Sequence, residues 1–157
     1  MHDATKSREN PFWHYSLTQY AKPGCASFLI AAQDEKQLDI NILLFIGWIS
    51  KQGLSLSHSQ LHKAQQWNQY CIQPIRWLRR KSKPFIPNPV YKQFKKIELW
   101  AEQREQQMLF SLHYQLASFD GTTHECFKSN MREYTKGKES LDKEWLQALK
   151  QYLQQED

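Results

Sequence analysis

An all-α fold is predicted: a compact single-domain bundle of five to seven helices around a central buried helix spanning about residues 39–52. Three observations carry it. The run Leu38-Asp39-Ile40-Asn41-Ile42-Leu43-Leu44-Phe45-Ile46-Gly47-Trp48-Ile49 is apolar on nearly every side, so a helix built from it has no clean polar face and belongs inside the domain. The segments around it repeat apolar residues at spacings of three and four. No stretch alternates as a strand does with comparable strength, and no internal repeat or low-complexity tract interrupts the pattern.

The elements follow in chain order. Residues 1–10 are polar throughout and read as a disordered N-terminal lead, which leaves 11–157 as the helical domain. Pro11 suits a first helical turn, and Phe12, Trp13, Leu17 and Tyr20 share one face of a short aromatic helix that stops at Pro23-Gly24. A second helix starting at Pro23 carries Cys25, Phe28, Leu29 and Ala32. Asp39 is placed to cap the central helix with its carboxylate, and Gly53 to end it in a left-handed conformation.

Ser57, with Gln60 three residues later, forms a capping-box pattern ahead of Leu61, Ala64, Trp67, Tyr70 and Cys71. Pro74 should kink or restart that helix, after which Ile75, Trp77 and Leu78 continue the apolar stripe, with Trp77 in the core. The Pro-rich connection at 84–89 is the one linker. A long helix then runs from about Val90 toward Ala117. A weaker one follows around Glu125 to Tyr134, and Ser140 can cap a last one carrying Leu141, Trp145, Leu146, Leu149, Tyr152 and Leu153.

A chain of 157 residues is long enough for one well-buried core. Its three cysteines, Cys25, Cys71 and Cys126, are odd in number and lack metal-site spacing, which argues against a disulfide framework and against structural zinc. The first ten residues have no apolar signal-peptide core, and the central run falls well short of the roughly twenty residues that span a bilayer. The expectation is a cytoplasmic protein with no membrane partner and no cofactor.

The net charge of +5 conceals a polarity. From Ile40 to Ile97 there is no Asp or Glu, while that segment carries +10, which leaves −5 for the rest. Such polarity bears on partners more than on fold.

Phe12-Trp13, Ser16-Leu17, Tyr20, Pro23-Gly24, Gln33-Asp34 and the run from Leu38 to Phe45 carry a resemblance, joined by Pro74-Ile75-Arg76-Trp77-Leu78-Arg79 and Glu98-Leu99-Trp100-Ala101-Glu102. Over roughly residues 11–110 the chain resembles a family of small uncharacterised proteobacterial helical proteins, classed as a domain of unknown function. The resemblance implies an all-helical protein and brings no activity, cofactor or catalytic residue with it. Such relatives tend to have a glycine just before the apolar run, where this chain has Lys36-Gln37.

Several residue sets bear on function. Arg76, Arg79, Arg80, Lys81, Lys83, Lys92, Lys95 and Lys96 form the strongest candidate surface for a polyanion or an acidic partner, because arginine forks suit phosphates and Trp77, if exposed, could stack on a base. That makes a binding or regulatory module contacting an acidic protein or nucleic acid the first reading. Asp34, Asp39 and Asn41 flank the apolar run and define the second, a ligand pocket or small enzyme site completed by Arg76 or Glu102 from a facing helix.

Weaker sets have ordinary explanations. His58 and His62 share a helical face but lack a third ligand, and His124-Glu125-Cys126 point in different directions on a helix, so no metal site and no catalytic residue are assigned. Glu98, Glu102 and Glu105 form a stripe whose simplest role is pairing with the basic segment, for instance with Arg76 or Arg79.

Overall fold

Helix α3 (Ile40–Lys51) begins where the sequence places it, with Asp39 as its N-cap and the Asp39 carboxylate accepting from the Asn41 amide at 2.9 Å. Gly53 follows its end at φ 67. The computed structural model containing it describes residues 10–155. Ahead of α3 come α1 (Pro11–Tyr20) and α2 (Cys25–Lys36). After it come the 3-10 turn His58–Leu61, α4 (His62–Trp67), a π turn (Asn68–Ile72) and α5 (Gln73–Ser82), which run on as one rod. The long α6 (Asn88–His113), α7 (Thr123–Tyr134) and α8 (Lys143–Gln154) complete the chain. With the α4–α5 rod taken as one, seven helices stand among the described residues. The only strands among them are β1 (Leu54–Ser55) and β2 (Ala117–Ser118), which pair antiparallel.

Helix α3 packs against α1, α2, α6, α7 and α8. Ile42, Leu43, Phe45, Ile46 and Ile49 are fully buried, so the apolar run is the core on which the bundle is assembled. Its close approach to α8 depends on Gly47, because a Cβ there would sit 2.9 Å from Leu153 Cβ. The carbonyl of Gly47 accepts from Gln154 Nε2 at 3.0 Å, and Tyr15 Oη donates to the Leu153 carbonyl at 2.6 Å.

Several boundaries differ from expectation for local reasons. The lead falls on residues that, up to 9, lie outside those described, while Asn10 is buried and caps α1 through Oδ1. Helix α2 starts at Cys25, since Gly24 has φ 80 and separates Pro23 from it. The Ser57–Gln60 capping box is present but opens the 3-10 turn. Pro74, without an amide to donate, sits in the first turn of α5 directly after the π turn, so the rod restarts there. Asp142, not Ser140, caps α8, accepting from Trp145 N at 2.7 Å. Among the described residues no helix is long and apolar enough to cross a membrane.

Candidate functional site: two clefts over one polar floor

The first turn of α3 and the middle of α6 meet in a buried polar network. Asn41 Nδ2 donates to Glu105 Oε2 at 2.7 Å, while Asn41 Oδ1 accepts from Gln106 Nε2 at 3.0 Å. Gln106 Nε2 also reaches Ser16 Oγ of α1 at 3.0 Å. Glu105 is 0% exposed. Its carboxyl lies beside that of Asp39, and Glu105 Oε1 and Asp39 Oδ2 are both buried without a hydrogen-bond partner. Burial pushes both carboxyls above their ordinary range, and the Asp39 charge raises Glu105 further. Two carboxyls buried beside each other favour sharing a proton over ionising together.

Beside this pair lies an ion network. Arg76 Nε donates to Glu98 Oε1 and Arg76 Nη2 to Glu102 Oε1, each at 2.9 Å, and Arg79 Nε also bonds Glu98. Burial opposes the charge on Arg76, and the two carboxylates outweigh it, holding the guanidinium above its ordinary value. Glu98 is pushed up by burial but lies below its ordinary value because Arg79 and Arg76 prevail. Glu102 is raised, since burial prevails over Arg76.

Two clefts open from this floor, and Asp39, Asn68, Arg76, Gln33 and Arg80 line both. The smaller, about 400 Å³, has Asn41, Glu98 and Glu102 at its polar end and is walled by Trp13, Leu17, Tyr20, Ile30, Leu44 and Leu99. The larger, about 940 Å³, is lined mostly by amides and by Asp34, Tyr70, Trp77, Lys81, Tyr134 and Lys138. The π turn supplies Asn68 to both, an irregular backbone segment placed where helix irregularities often accompany function.

The Asp34, Asp39 and Asn41 set is thus divided. Asp39 caps α3 and lines both clefts, Asn41 faces the smaller one, and Asp34 lines the larger while pairing with Arg80 at 3.2 Å. Arg76 and Glu102 both reach the smaller cleft.

The basic set is divided too. Its arginines are turned onto carboxylates, whereas Lys81, Lys83, Lys92, Lys95 and Lys96 are exposed. Lys83 and Lys95 lie over the Tyr91 ring, whose hydroxyl accepts from Arg79 Nη1 at 3.0 Å. Trp77 is not core but 62% exposed, because the α4–α5 rod leaves that side of α5 uncovered.

The weaker sets disperse. His58 Nδ1 lies 2.9 Å from the Glu133 carbonyl, at the 3-10 turn rather than on one helix with His62. Buried Cys126 contacts Leu54 and Asn130, Glu125 closes a capping box with Thr122, and His124 faces Lys150. The Glu98, Glu102 and Glu105 stripe splits as well, with Glu98 and Glu102 on Arg76 and Glu105 beside Asp39.

The Asp39–Glu105 pair, Asn68, Gln106 and Tyr134 were not singled out from sequence. A signal for Glu105 exists, since it falls four residues after Ala101 and four before Leu109, both fully buried.

Fold and site together define an all-helical protein with a two-cleft polar site where α1, α3, α5 and α6 converge. Residues 11–109 match the family described as protein of unknown function (DUF2390), and the chain belongs to that family. No curated protein and no solved structure matches the chain.

Proposed function

We propose that the protein is a binding module that seats a small amphiphilic molecule in the smaller cleft, polar head toward Asp39, Asn41 and Glu102 and apolar body toward Trp13, Leu17 and Leu44. One observation carries this reading. The polar Asp39, Asn41, Arg76, Glu98 and Glu102 and the apolar Trp13, Leu17, Tyr20 and Leu44, contributed by α1, α3 and its cap, α5 and α6, line this single cleft. Packing alone does not require their polar members to converge on a solvent-reached cavity.

The volume of about 400 Å³ lies within the usual range of ligand pockets, and the mix of apolar wall with a few convergent polar groups is the usual composition. Charge narrows the ligand. Asp39, Glu98 and Glu102 are balanced by Arg76, Arg79 and Arg80, so the lining favours no net ion. A neutral or zwitterionic head, donating to Glu102 and accepting from Asn41 or Arg76, meets this lining with the least uncompensated desolvation.

The test is a matched set of six-carbon probes, norleucine, hexanamide, hexylamine and hexanoate, followed by ligand-observed NMR. Norleucine or hexanamide should bind in preference to the two net ions. Leu17→Arg, at an exposed rim position, should abolish the signal without unfolding the protein.

A further inference from the structure

The larger cleft has different chemistry. Tyr70 and Trp77 line it from one rod, seven residues apart, and are 68% and 62% exposed. At helical rise they stand about 10 Å apart along the axis. Large rings left this open on a folded surface are available as flat apolar platforms. The lining between and around them is dominated by amides, including Gln37, Gln66 and Gln69, which donate and accept together. Exposed Lys81 joins them from α5 and Lys138 from beyond the end of α7. Of the acidic groups present, Asp34 is bonded to Arg80 and Asp39 accepts from the Asn41 amide.

We propose that this cleft binds single-stranded nucleic acid, with bases stacked on Tyr70 and Trp77, base edges read by the glutamine amides and phosphates held by Lys81 and Lys138. Aromatic platforms with cations beside them are how single strands are bound with little sequence preference. An acidic peptide would use the lysines but has no use for two open rings. A mononucleotide would use one ring, whereas two platforms on one rod suit successive bases of a strand. Lys83, Lys92, Lys95 and Lys96 are also exposed, with Lys83 and Lys95 gathered over the Tyr91 ring, in a stretch with no acidic residue from Ile40 to Ile97. The two clefts share Gln33, Asp39, Asn68, Arg76 and Arg80, but the rings and lysines invoked here line the larger one and not the smaller, so the proposal does not rest on a ligand in the smaller cleft.

The experiment is fluorescence anisotropy with a fluorescein-labelled twelve-nucleotide uridine strand, repeated over a salt series. Binding should weaken steeply with salt, as counterion release requires. Trp77→Ala and Tyr70→Ala, both at exposed positions, should each weaken binding at least fivefold, and Lys81→Glu with Lys138→Glu should weaken it and flatten the salt slope.

Unlabelled competitors complete the test. The single strand should compete better than an RNA duplex, ATP or polyglutamate at equal charge concentration. No binding at low salt overturns the proposal. So does unchanged affinity in the Tyr70→Ala/Trp77→Ala double variant, or equal competition by duplex or polyglutamate, because the surface would then be reading charge alone. Stronger competition by ATP would make the cleft a mononucleotide site and overturn the strand.

Discussion

The buried carboxyl groups of Asp39 and Glu105 are linked through Asn41, whose backbone amide donates to Asp39 Oδ1 at 2.9 Å and whose Nδ2 donates to Glu105 Oε2 at 2.7 Å, joining the N-terminus of α3 to the middle of α6. A buried acid held above its ordinary value keeps a proton that the unfolded chain has already released. The contribution of Glu105 is therefore full below its ordinary value of 4.5 and falls as pH rises through the elevated one. Glu105→Gln reproduces the protonated acid, with an amide that can donate to Asp39 Oδ2. Urea melts between about pH 5 and pH 9 should show the wild-type decline and a flatter profile in the variant.

Glu98 works in the opposite direction. Its folded value lies below the ordinary 4.5, so its pairing with Arg76 and Arg79 stabilises above that value and is lost as pH falls through the depressed one. Removing Arg76 leaves half-buried Glu102 without its ion-pair partner and buried Glu98 with Arg79 alone. Arg76→Ala should cost about 3 to 5 kcal/mol. The exposed Arg80–Asp34 pair gives the contrast, and Arg80→Ala should cost at most about 1 kcal/mol. Equilibrium denaturation of the two variants checks the difference.

Gln37 ends α2 in the left-handed region at φ 56, the only non-glycine residue among those described with positive φ. Because a side chain is strained there, Gln37→Gly should stabilise the fold by about 0.5 to 1 kcal/mol, read as a rise in Tm.

Helix α3 gives the packing prediction. Phe45→Ala removes a fully buried ring that meets Phe12 edge-on at 5.4 Å between centroids, and should cost about 3 to 5 kcal/mol. Gly47→Ala should also destabilise, by about 1 to 3 kcal/mol, since the new methyl presses on Leu153 and Tyr15. Thermal melts suffice for both.

Much of the fold was legible in the sequence. An apolar run without a polar face can only be interior, and Asp39, Gly53 and the Ser57–Gln60 box punctuate the chain by local rules that tertiary packing leaves intact. The helical spacing of Trp77 matches that of its apolar neighbours and suggests core, whereas burial depends on which side of the rod another helix covers, and this side is open. The candidate site was legible in its members, Asp39, Asn41, Arg76 and Glu102, but not in its shape. Two clefts sharing one floor arise from the crossing of α1, α3, α5 and α6, which no local pattern encodes. The glutamate stripe suggests that Glu105 pairs with the basic segment, whereas its place four residues from both Ala101 and Leu109 puts it in the interior.

The most direct test of the smaller cleft is ligand-observed NMR with the matched six-carbon probes on wild type and Leu17→Arg. Binding of norleucine or hexanamide at millimolar Kd or better, stronger than hexylamine and hexanoate and lost in Leu17→Arg, is the predicted result. Failure of all four probes to bind, preference for either net ion, or binding that survives Leu17→Arg would contradict the assignment of this cleft as the ligand site.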